Sequence, residues 1–228
     1  HQLLDHQRRF VRDTSHQLRT PLAVLRGTLE VTLRKPRTPE EYQEKIKISV
    51  QEIDRLSVLA DQLLLLARFD SETSAITPEK TRLLPLVENV LRRYKSVIEE
   101  KEHRINVQID PNLEVSAVPY YLDLIIENLL TNAVKYSPQG KEIAIKAWSK
   151  NGHIRAFISD EGMGIHPEHQ AQIFHPFFRS QALEHKNIKG NGLGLSIVKK
   201  ACDALGVKVT VESTPGEGTR FYLDFPTA

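Results

Sequence analysis

The sequence predicts an all-α helical hairpin that forms a dimeric four-helix bundle, followed by an α/β sandwich whose mixed sheet carries helices on one face. The first indication is the distribution of glycine, because only Gly27 of the 11 glycines precedes residue 140. The second is the periodicity of residues 1–70, in which apolar side chains recur every three or four positions. The third is the later chain, where strand-like and helix-like runs mix without regular alternation.

The composition is that of an ordinary soluble protein and excludes several functional classes. Of the 228 residues, 40% are hydrophobic and 26% are charged. A chain of this length can form one large domain or two modest ones. The net charge of +2 gives no electrostatic reason to expect nucleic-acid binding. Cys202 is the single cysteine, so a disulfide scaffold is excluded. The longest apolar run, Leu63–Ala67, is much shorter than the roughly 20 residues that span a bilayer.

Residues 1–71 are predicted to form the hairpin. Its two apolar stripes consist of Val11, Leu18, Leu22, Leu25, Leu29 and Leu33 in the first helix, and of Ile46, Val50, Ile53, Leu56, Ala60, Leu63 and Ala67 in the second. Between the helices, Thr38 fits an N-cap and Pro39 fits the first helical position. One hairpin leaves much of each stripe in water, which favours a homodimer. Packing of the stripe against the second domain is the alternative.

Residues 79–228 are predicted to form the sandwich, and the polar, proline-terminated residues 72–78 to form a linker. Helices are predicted over 83–100, 120–136 and 194–205, and strands over 105–109, 143–148, 154–159, 207–211 and 220–225. The last two strands are expected to pair across a turn at residues 215–218.

His16 is predicted to face solvent on the first helix, because it points roughly 150° away from the apolar stripe. Thr20 lies one turn further on the same side, and Gln17 is adjacent. Pro21 has no N–H to donate to the carbonyl of Gln17, so the helix is expected to kink or loosen there. Geometry alone also allows an ordinary surface histidine beside a tolerated kink.

The second domain has no P-loop motif, but it contains a polar row and a Gly-rich turn that could contact a nucleotide if the first domain is a phospho-acceptor. Asn128, Asn132 and Lys135 share one helical face, where carboxamide oxygens suit Mg²⁺ and an ammonium suits phosphate. The alternative for this row is the polar outer face of an amphipathic helix. Asp160 follows a strand and could accept from an adenine amino group, or it could simply cap the turn at residues 160–165.

Three further segments of the second domain belong to the same pattern. Residues 173–180 form an aromatic-rich block that leads into a polar stretch. Residues 190–196 contain three glycines and open a helix, whose N-terminal N–H groups favour phosphate. Residues 216–221 fit a hairpin as well as they fit a ligand contact.

The segment at residues 15–22, together with these motifs in this order, closely resembles the sensor histidine kinases of two-component systems. The resemblance covers essentially the whole chain, and the second domain is similar to the ATPases of gyrase, Hsp90 and MutL. It implies that His16 is the phospho-acceptor, that Thr20 helps to position water for dephosphorylation of a response regulator, and that Arg19 assists. Gln17 stands where the family usually has an acidic residue, and an amide cannot act as a base near neutral pH. It can still accept a hydrogen bond from the imidazole, so phosphorylation need not be lost. Because the amide is no base, autophosphorylation is expected to be slower than in a Gln17→Glu variant.

For the second domain the resemblance implies a site for ATP and Mg²⁺. Asp160 would contact adenine, Asn132 and Asn128 would hold Mg²⁺, and residues 177–190 would form a mobile lid. The remaining nucleotide-binding residues implied in this way are Lys135, Tyr136, Gly162, Gly164, Ile165, Phe178, Arg179, Gly190, Gly192, Leu193, Gly194, Leu195 and Thr219.

The resemblance also implies a homodimer, a response regulator receiver domain as partner, and no nucleic-acid partner. Because residue 1 is not methionine, we expect a cytoplasmic portion of a longer protein, with a possible membrane anchor upstream. Two other functions remain open: a kinase-deficient dimeric scaffold or phosphatase, and a gyrase-type ATPase switch. Asn128 stands where gyrase-type relatives carry a catalytic glutamate, and Glu127 is expected to point about 100° away around the helix.

The other histidines are expected to be structural. His166, His169, His175 and His185 are close enough in sequence to make a zinc site conceivable, although prolines interrupt the segment. His103 and His153 precede predicted strands and are expected to lie in turns or at the surface.

Overall fold

The structure is a computed structural model that describes residues 2–71, 77–179 and 190–226. It divides into two compact units, His1–Arg68 and Phe69–Ala228. Most of the predicted linker, residues 72–76, lies outside the described residues, so the predicted domain boundaries stay a prediction. None of the helices in the described ranges is both long and apolar enough to cross a membrane.

The first unit is the predicted helical hairpin. Helix α1 (Gln2–Leu33) and helix α2 (Pro39–Ser71) are joined by a short turn. The start of α2 is a capping box, because the N–H of Thr38 donates to Glu41 Oε2 at 3.0 Å and the N–H of Glu41 donates to Thr38 Oγ1 at 3.3 Å. The N-cap that the sequence predicts is therefore confirmed.

Much of the apolar surface of this unit remains exposed. Leu59 and Leu66 are buried, whereas Leu33 is 85% exposed. The other large apolar side chains exposed on the two helices include Val11, Leu22, Leu29, Ile46, Val50, Ile53 and Leu64. An exposed apolar stripe is what the sequence predicts for a single copy of the hairpin.

The second unit is an α/β domain. Its elements are β1 (Glu79–Arg82), α3 (Leu83–Arg93), α4 (Lys95–Glu100), β2 (Arg104–Ile109), β3 (Glu114–Ala117), α5 (Pro119–Tyr136), β4 (Glu142–Lys150), β5 (His153–Asp160), α6 (Pro167–Gln170), α7 (Gly194–Ala204), β6 (Lys208–Thr214) and β7 (Gly218–Asp224). The main sheet has the order β2-β4-β5-β7-β6, in which β2 and β4 are parallel and the other pairs are antiparallel. This mixed sheet confirms the predicted fold.

The core lies between the helices and one face of the sheet. Strand β4 contributes Ile143, Ile145 and Ala147, which share one face because a strand has a period of two, and Ala144 on the other face is buried as well. Helix α5 runs through the centre of this layer, and its residues Leu122, Ile125, Leu129 and Leu130 are fully buried or nearly so. Cys202 on α7 is also buried, and this burial raises the pKa of its thiol to about 12.

The secondary structure differs from the sequence-based expectation in three places. The helix predicted over 83–100 is interrupted at Tyr94, which separates α3 from α4. The small antiparallel sheet of β1 and β3 was not expected, because only Thr81 of the four residues of β1 is buried and no apolar alternation marks the strand. Helix α6 has four residues, which is too short to give a periodic signal.

His103 corrects another expectation. Its side chain is buried, with 8% exposed, rather than lying at the surface. The ring nitrogens face two carbonyl oxygens, that of Lys141 at 3.1 Å from Nδ1 and that of Val134 at 3.3 Å from Nε2. The burial is explained by hydrogen bonds to backbone carbonyls from distant parts of the chain. A local sequence pattern does not show such contacts. His153 is exposed, as expected.

Candidate functional site

His16 lies on an exposed surface of α1, as the helical periodicity predicts. Thr20, also exposed, is one turn away, and its hydroxyl donates to the carbonyl of His16 at 3.2 Å. Arg19 is exposed and Gln17 is half-buried, so the four residues form a polar patch around an accessible imidazole. Helix α1 continues through Pro21, and the loosening predicted there stays a prediction.

The predicted nucleotide-binding residues come together at one end of the second unit. Helix α5 carries Asn128, Asn132, Lys135 and Tyr136. Strand β5 ends at Asp160 and is followed by Gly162, Gly164 and Ile165. Phe178 and Arg179 come after α6, the segment from Gly190 to Leu195 runs into the first turn of α7, and the second residue of β7 is Thr219. Glycines make the closest approaches between these segments. A Cβ atom on Gly194 would lie 2.8 Å from Asn128 Oδ1, and one on Gly190 would lie 3.4 Å from Lys135 Nζ. The start of α7 therefore runs directly beside the polar row of α5.

The two asparagines of α5 differ in their partners. The amide of Asn128 donates to the carbonyl of Leu124 at 2.7 Å, which fixes the side chain and leaves Oδ1, on the side of Gly194, as the remaining acceptor. Asn132 is half-buried, and its side chain makes no hydrogen bond to any described residue. Both carboxamide oxygens are therefore available as ligands for a hard cation such as Mg²⁺.

Glu127 is turned toward α3, as its position on the helix predicts. Its carboxylate accepts hydrogen bonds from the hydroxyl of Tyr94 and from Arg93 Nη2, which also binds Asp123 at 2.7 Å. Burial and the bond to Glu127 raise the pKa of Tyr94 to about 12, so its hydroxyl remains a donor. A carboxylate engaged by a phenol and a guanidinium is poorly placed to activate water beside Asn128.

Asp160 is a half-buried carboxylate in the site. Burial raises its pKa to about 6, although hydrogen bonds from the backbone N–H groups of Gly162 and Thr219 oppose this rise. The Gly162 N–H donates to Oδ1 at 2.8 Å. A Cβ atom at Gly162 would lie 2.6 Å from the same oxygen and 2.7 Å from the carbonyl oxygen of Tyr136, so only glycine fits.

The loop at residues 162–165 is seated on the β6–β7 hairpin. Gly164 has a φ of +70°, and a Cβ atom there would lie 2.0 Å from the carbonyl oxygen of Thr214. The N–H of Gly216 donates to the carbonyl of Met163 at 2.8 Å, and the N–H of Ile165 donates to Ser213 Oγ at 2.8 Å. The hairpin thus supports the segment that carries Gly162 and Gly164.

Hydrogen bonds hold the two ends of the predicted lid together. The N–H of Phe177 donates to the carbonyl of Gly192 at 2.8 Å, and Arg179 Nη1 donates to the carbonyl of Gly190 at 3.0 Å. Both Phe177 and Gly192 have positive φ, and a Cβ atom on Gly192 would lie 2.8 Å from the backbone of Phe177. Leu193 is buried beside this contact. Residues 180–189 of the predicted lid lie outside the described residues.

Positive charge is concentrated near the end of α5. Partial burial, together with the charges of Arg179 and Lys101, lowers the pKa of the Lys135 ammonium. Lys101 Nζ itself donates to the carbonyls of Val134 at 2.6 Å and Lys135 at 3.2 Å, which satisfies the C-terminal end of the helix. Such a group of cations suits a polyanion such as a chain of phosphates. Burial also raises the pKa of Tyr136.

The described residues contain no group of three or more His, Cys, Asp or Glu side chains that could hold a metal ion. The rings of His166 and His169 are 6.2 Å apart, and His185 lies outside the described residues. Sequence reasoning missed Ser213 and Lys101, both of which support site residues. The sequence gives only a weak indication of Ser213, because it is a polar residue at a position of β6 that faces the helices.

Two family comparisons agree with this geometry. Residues 6–72 match the His Kinase A (phospho-acceptor) domain family, and residues 117–228 match the histidine kinase-, DNA gyrase B- and HSP90-like ATPase family. The chain belongs to the histidine kinase family. Its two matched domains stand in the order that the sequence predicts.

The chain is similar to several curated proteins over most of its own length. It is 33% identical to the sensor protein IrlS of Burkholderia pseudomallei, covering 95% of this chain and 46% of that protein. It is 30% identical to the sensor protein SrrB of Staphylococcus aureus, covering 99% of this chain and 39% of that protein. The chain therefore spans less than half the length of these relatives.

Solved structures with the same fold include histidine kinases. The Acinetobacter baumannii histidine kinase AdeS matches with a TM-score of 0.75 and 20% identity, over 93% of this chain and 98% of that one. Histidine kinase ThkA in complex with response regulator TrrA matches with a TM-score of 0.79 and 21% identity, over 100% and 64%. Full-length ShkA in complex with AMPPNP matches with a TM-score of 0.71 and 25% identity, over 94% and 44%.

Gly164→Ala is expected to destabilise the second unit by more than about 2 kcal/mol, because it adds a steric clash to an unfavourable positive φ. Gly152→Ala is the matched control, since Gly152 has a φ of +79° but nothing within 4 Å of the added Cβ. The control should cost only about 1 kcal/mol. Urea denaturation of the two variants measures the difference, and equal losses would contradict the close packing of the loop against β6.

Proposed function

We propose that this chain is the catalytic core of a sensor histidine kinase, in which ATP bound by the second unit phosphorylates His16. The observation that carries the proposal is the accessible imidazole of His16 within a phospho-acceptor domain, on a chain that also contains the Asp160 site. The phosphoryl group would then pass to an aspartate of a response regulator. Two similar structures support this proposal: ShkA in complex with AMPPNP and ThkA in complex with response regulator TrrA.

The adenine end of the nucleotide would lie at Asp160. Its carboxylate would accept a hydrogen bond from the exocyclic amino group, while Gly162 and Gly164 allow close approach of the base. Thr219 pairs with Asp160 in the sheet, and Ile165 and Phe178 would also line the site. At the other end, Lys135, Tyr136 and Arg179 would contact ribose or phosphates. The backbone N–H groups from Gly190 to Leu195, at the start of α7, would face the phosphates.

The carboxamides of Asn128 and Asn132 fit a magnesium ion, because their oxygens are free of other described partners. When bound, the ion would neutralise charge on the phosphates. Arg179 and Lys135 would add to that neutralisation from the protein. Positioning and cation contacts therefore account for most of the expected acceleration.

The transfer step uses the neutral imidazole of His16. One ring nitrogen contributes its lone pair to a new bond with the γ-phosphorus, while the bond from that phosphorus to the bridging oxygen breaks and ADP leaves. The proton on the other ring nitrogen is released to solvent. Gln17 can accept a hydrogen bond from that N–H but cannot remove the proton. Thr20 would position water when the regulator is dephosphorylated.

We further propose that the hairpin forms a homodimer. The exposed apolar side chains of α1 and α2 are a large surface for a monomer to leave in water. Pairing of two hairpins into a four-helix bundle would cover it. A cytoplasmic location and a membrane anchor in a longer chain remain part of the same proposal.

Incubation with γ-labelled ATP is expected to label the protein with acid-labile, alkali-stable phosphate. His16→Ala should abolish the label, and His153→Ala, at another exposed histidine, should leave it unchanged. Label that persists in His16→Ala would overturn the proposal. A chain that binds ATP without labelling would instead be the scaffold or phosphatase, and rapid ATP turnover that does not depend on His16 would indicate a gyrase-type switch.

Gln17→Glu is expected to increase the autophosphorylation rate at saturating ATP by about tenfold or more, because a carboxylate can take the proton that the amide cannot. Single-turnover labelling of His16 measures the rate. Gln17→Ala, which removes the hydrogen-bond acceptor, should be slower than the parent. A glutamate variant no faster than the parent would show that proton removal does not limit the transfer.

The affinity for ATP is expected to fall at low pH. Since the pKa of Asp160 is raised to about 6, the carboxylate is charged above that pH and increasingly protonated below it. If only the charged form accepts from adenine, the dissociation constant rises about tenfold from pH 7 to pH 5. Asp160→Asn should bind more weakly but lose this part of the pH dependence. Calorimetric titrations in which both proteins follow the same pH profile would refute the assignment.

A further inference from the structure

The hydroxyl of Ser213 is the centre of a hydrogen-bond network beside Asp160. Ser213 Oγ lies 2.8 Å from the backbone nitrogen of Ile165, 2.9 Å from the carbonyl oxygen of Gly218, and 2.9 Å from Thr219 Oγ1. Ser213 itself lies on β6, directly opposite Thr219 in the β6–β7 pairing. One side chain therefore links the 162–165 loop to the strand that carries Thr219.

The direction of each hydrogen bond follows from the number of protons that each group can donate. The N–H of Ile165 can only donate, so Ser213 Oγ accepts from it. The carbonyl of Gly218 can only accept, so the single hydroxyl proton of Ser213 is directed there. The contact between the two hydroxyls then requires Thr219 to be the donor. Its oxygen retains free lone pairs but has no proton to offer to another group.

Thr219 is also coupled to Asp160. The two residues are partners in the β5–β7 pairing, and the backbone N–H of Thr219 donates to the Asp160 carboxylate. Gln170 strengthens the same arrangement, since its amide donates to the carbonyl oxygens of Ile165 at 3.2 Å and Ser213 at 2.9 Å. This end of the site therefore combines a carboxylate with a hydroxyl whose proton is committed elsewhere.

We propose that Ser213 is a positioning residue that sets the base preference of the nucleotide site. By holding the Thr219 hydroxyl as an acceptor and the 162–165 loop in place, it makes the site favour a base with an amino group over one with a carbonyl oxygen at the same position. The proposal rests on the proposed function, namely that the second unit binds a nucleotide. Adenine has an amino group at this position, and hypoxanthine has a carbonyl oxygen.

The test compares ATP with inosine triphosphate, which differ in the base alone. In Ser213→Ala the Thr219 proton is released and can turn toward a carbonyl oxygen, so the preference for ATP should fall about three- to tenfold. Ser213→Thr keeps the hydroxyl and should restore the preference. Thr214→Ala changes an exposed neighbour on the same strand and should leave it unaltered.

The ratio of the dissociation constants for ATP and inosine triphosphate distinguishes a role of Ser213 in base selection from a general role in supporting the site. Equal weakening of both nucleotides in Ser213→Ala, or no change in either, would overturn the proposal. If that variant does not fold, Thr219→Val removes the hydroxyl directly and must lower the same ratio. Failure of the parent protein to bind either nucleotide would refute the proposed function itself, whereas binding without a change in the ratio refutes only the role of Ser213.

Discussion

The close seating of the 162–165 loop on the β6–β7 hairpin is the constraint on which the site depends. Gly164 leaves no room for a side chain against Thr214, and Gly162 leaves none between Asp160 and Tyr136. Two backbone segments in direct contact fix each other's position closely, because protein interiors are packed as densely as crystals of small organic molecules. The sheet thereby fixes Asp160, and the end of α5 is fixed relative to it through the carbonyl of Tyr136.

Two adjacent residues of α5, Glu127 and Asn128, have different electrostatic surroundings. Glu127 is engaged by Arg93 and Tyr94 on the side of α3, while Asn128 faces Gly194 at the start of α7. A step of one residue along a helix rotates the side chain by about 100°, so the charged group and the neutral ligand serve different surfaces. This division is consistent with a site that holds a nucleotide without activating water against it.

Much of the fold could be predicted from the sequence because local patterns encode it. The N-cap at Thr38, the alternation in β4 and the glycines of the loop each leave a signal within a few residues. The strand β1, the burial of His103 and the bonds of Lys101 leave none, since they depend on backbone groups that arrive from elsewhere in the chain. Ser213 belongs to the same class: its polarity is visible in the sequence, but its three partners are not.

The buried thiol of Cys202 has a practical consequence. It lies within the core on α7, and its pKa of about 12 keeps it in the unreactive, protonated form at neutral pH. A cysteine introduced at an exposed position would therefore be the thiol that reacts with a probe while the native protein remains folded. Spectroscopic labels could then be placed on the hairpin and on the nucleotide-binding unit without first replacing the natural residue.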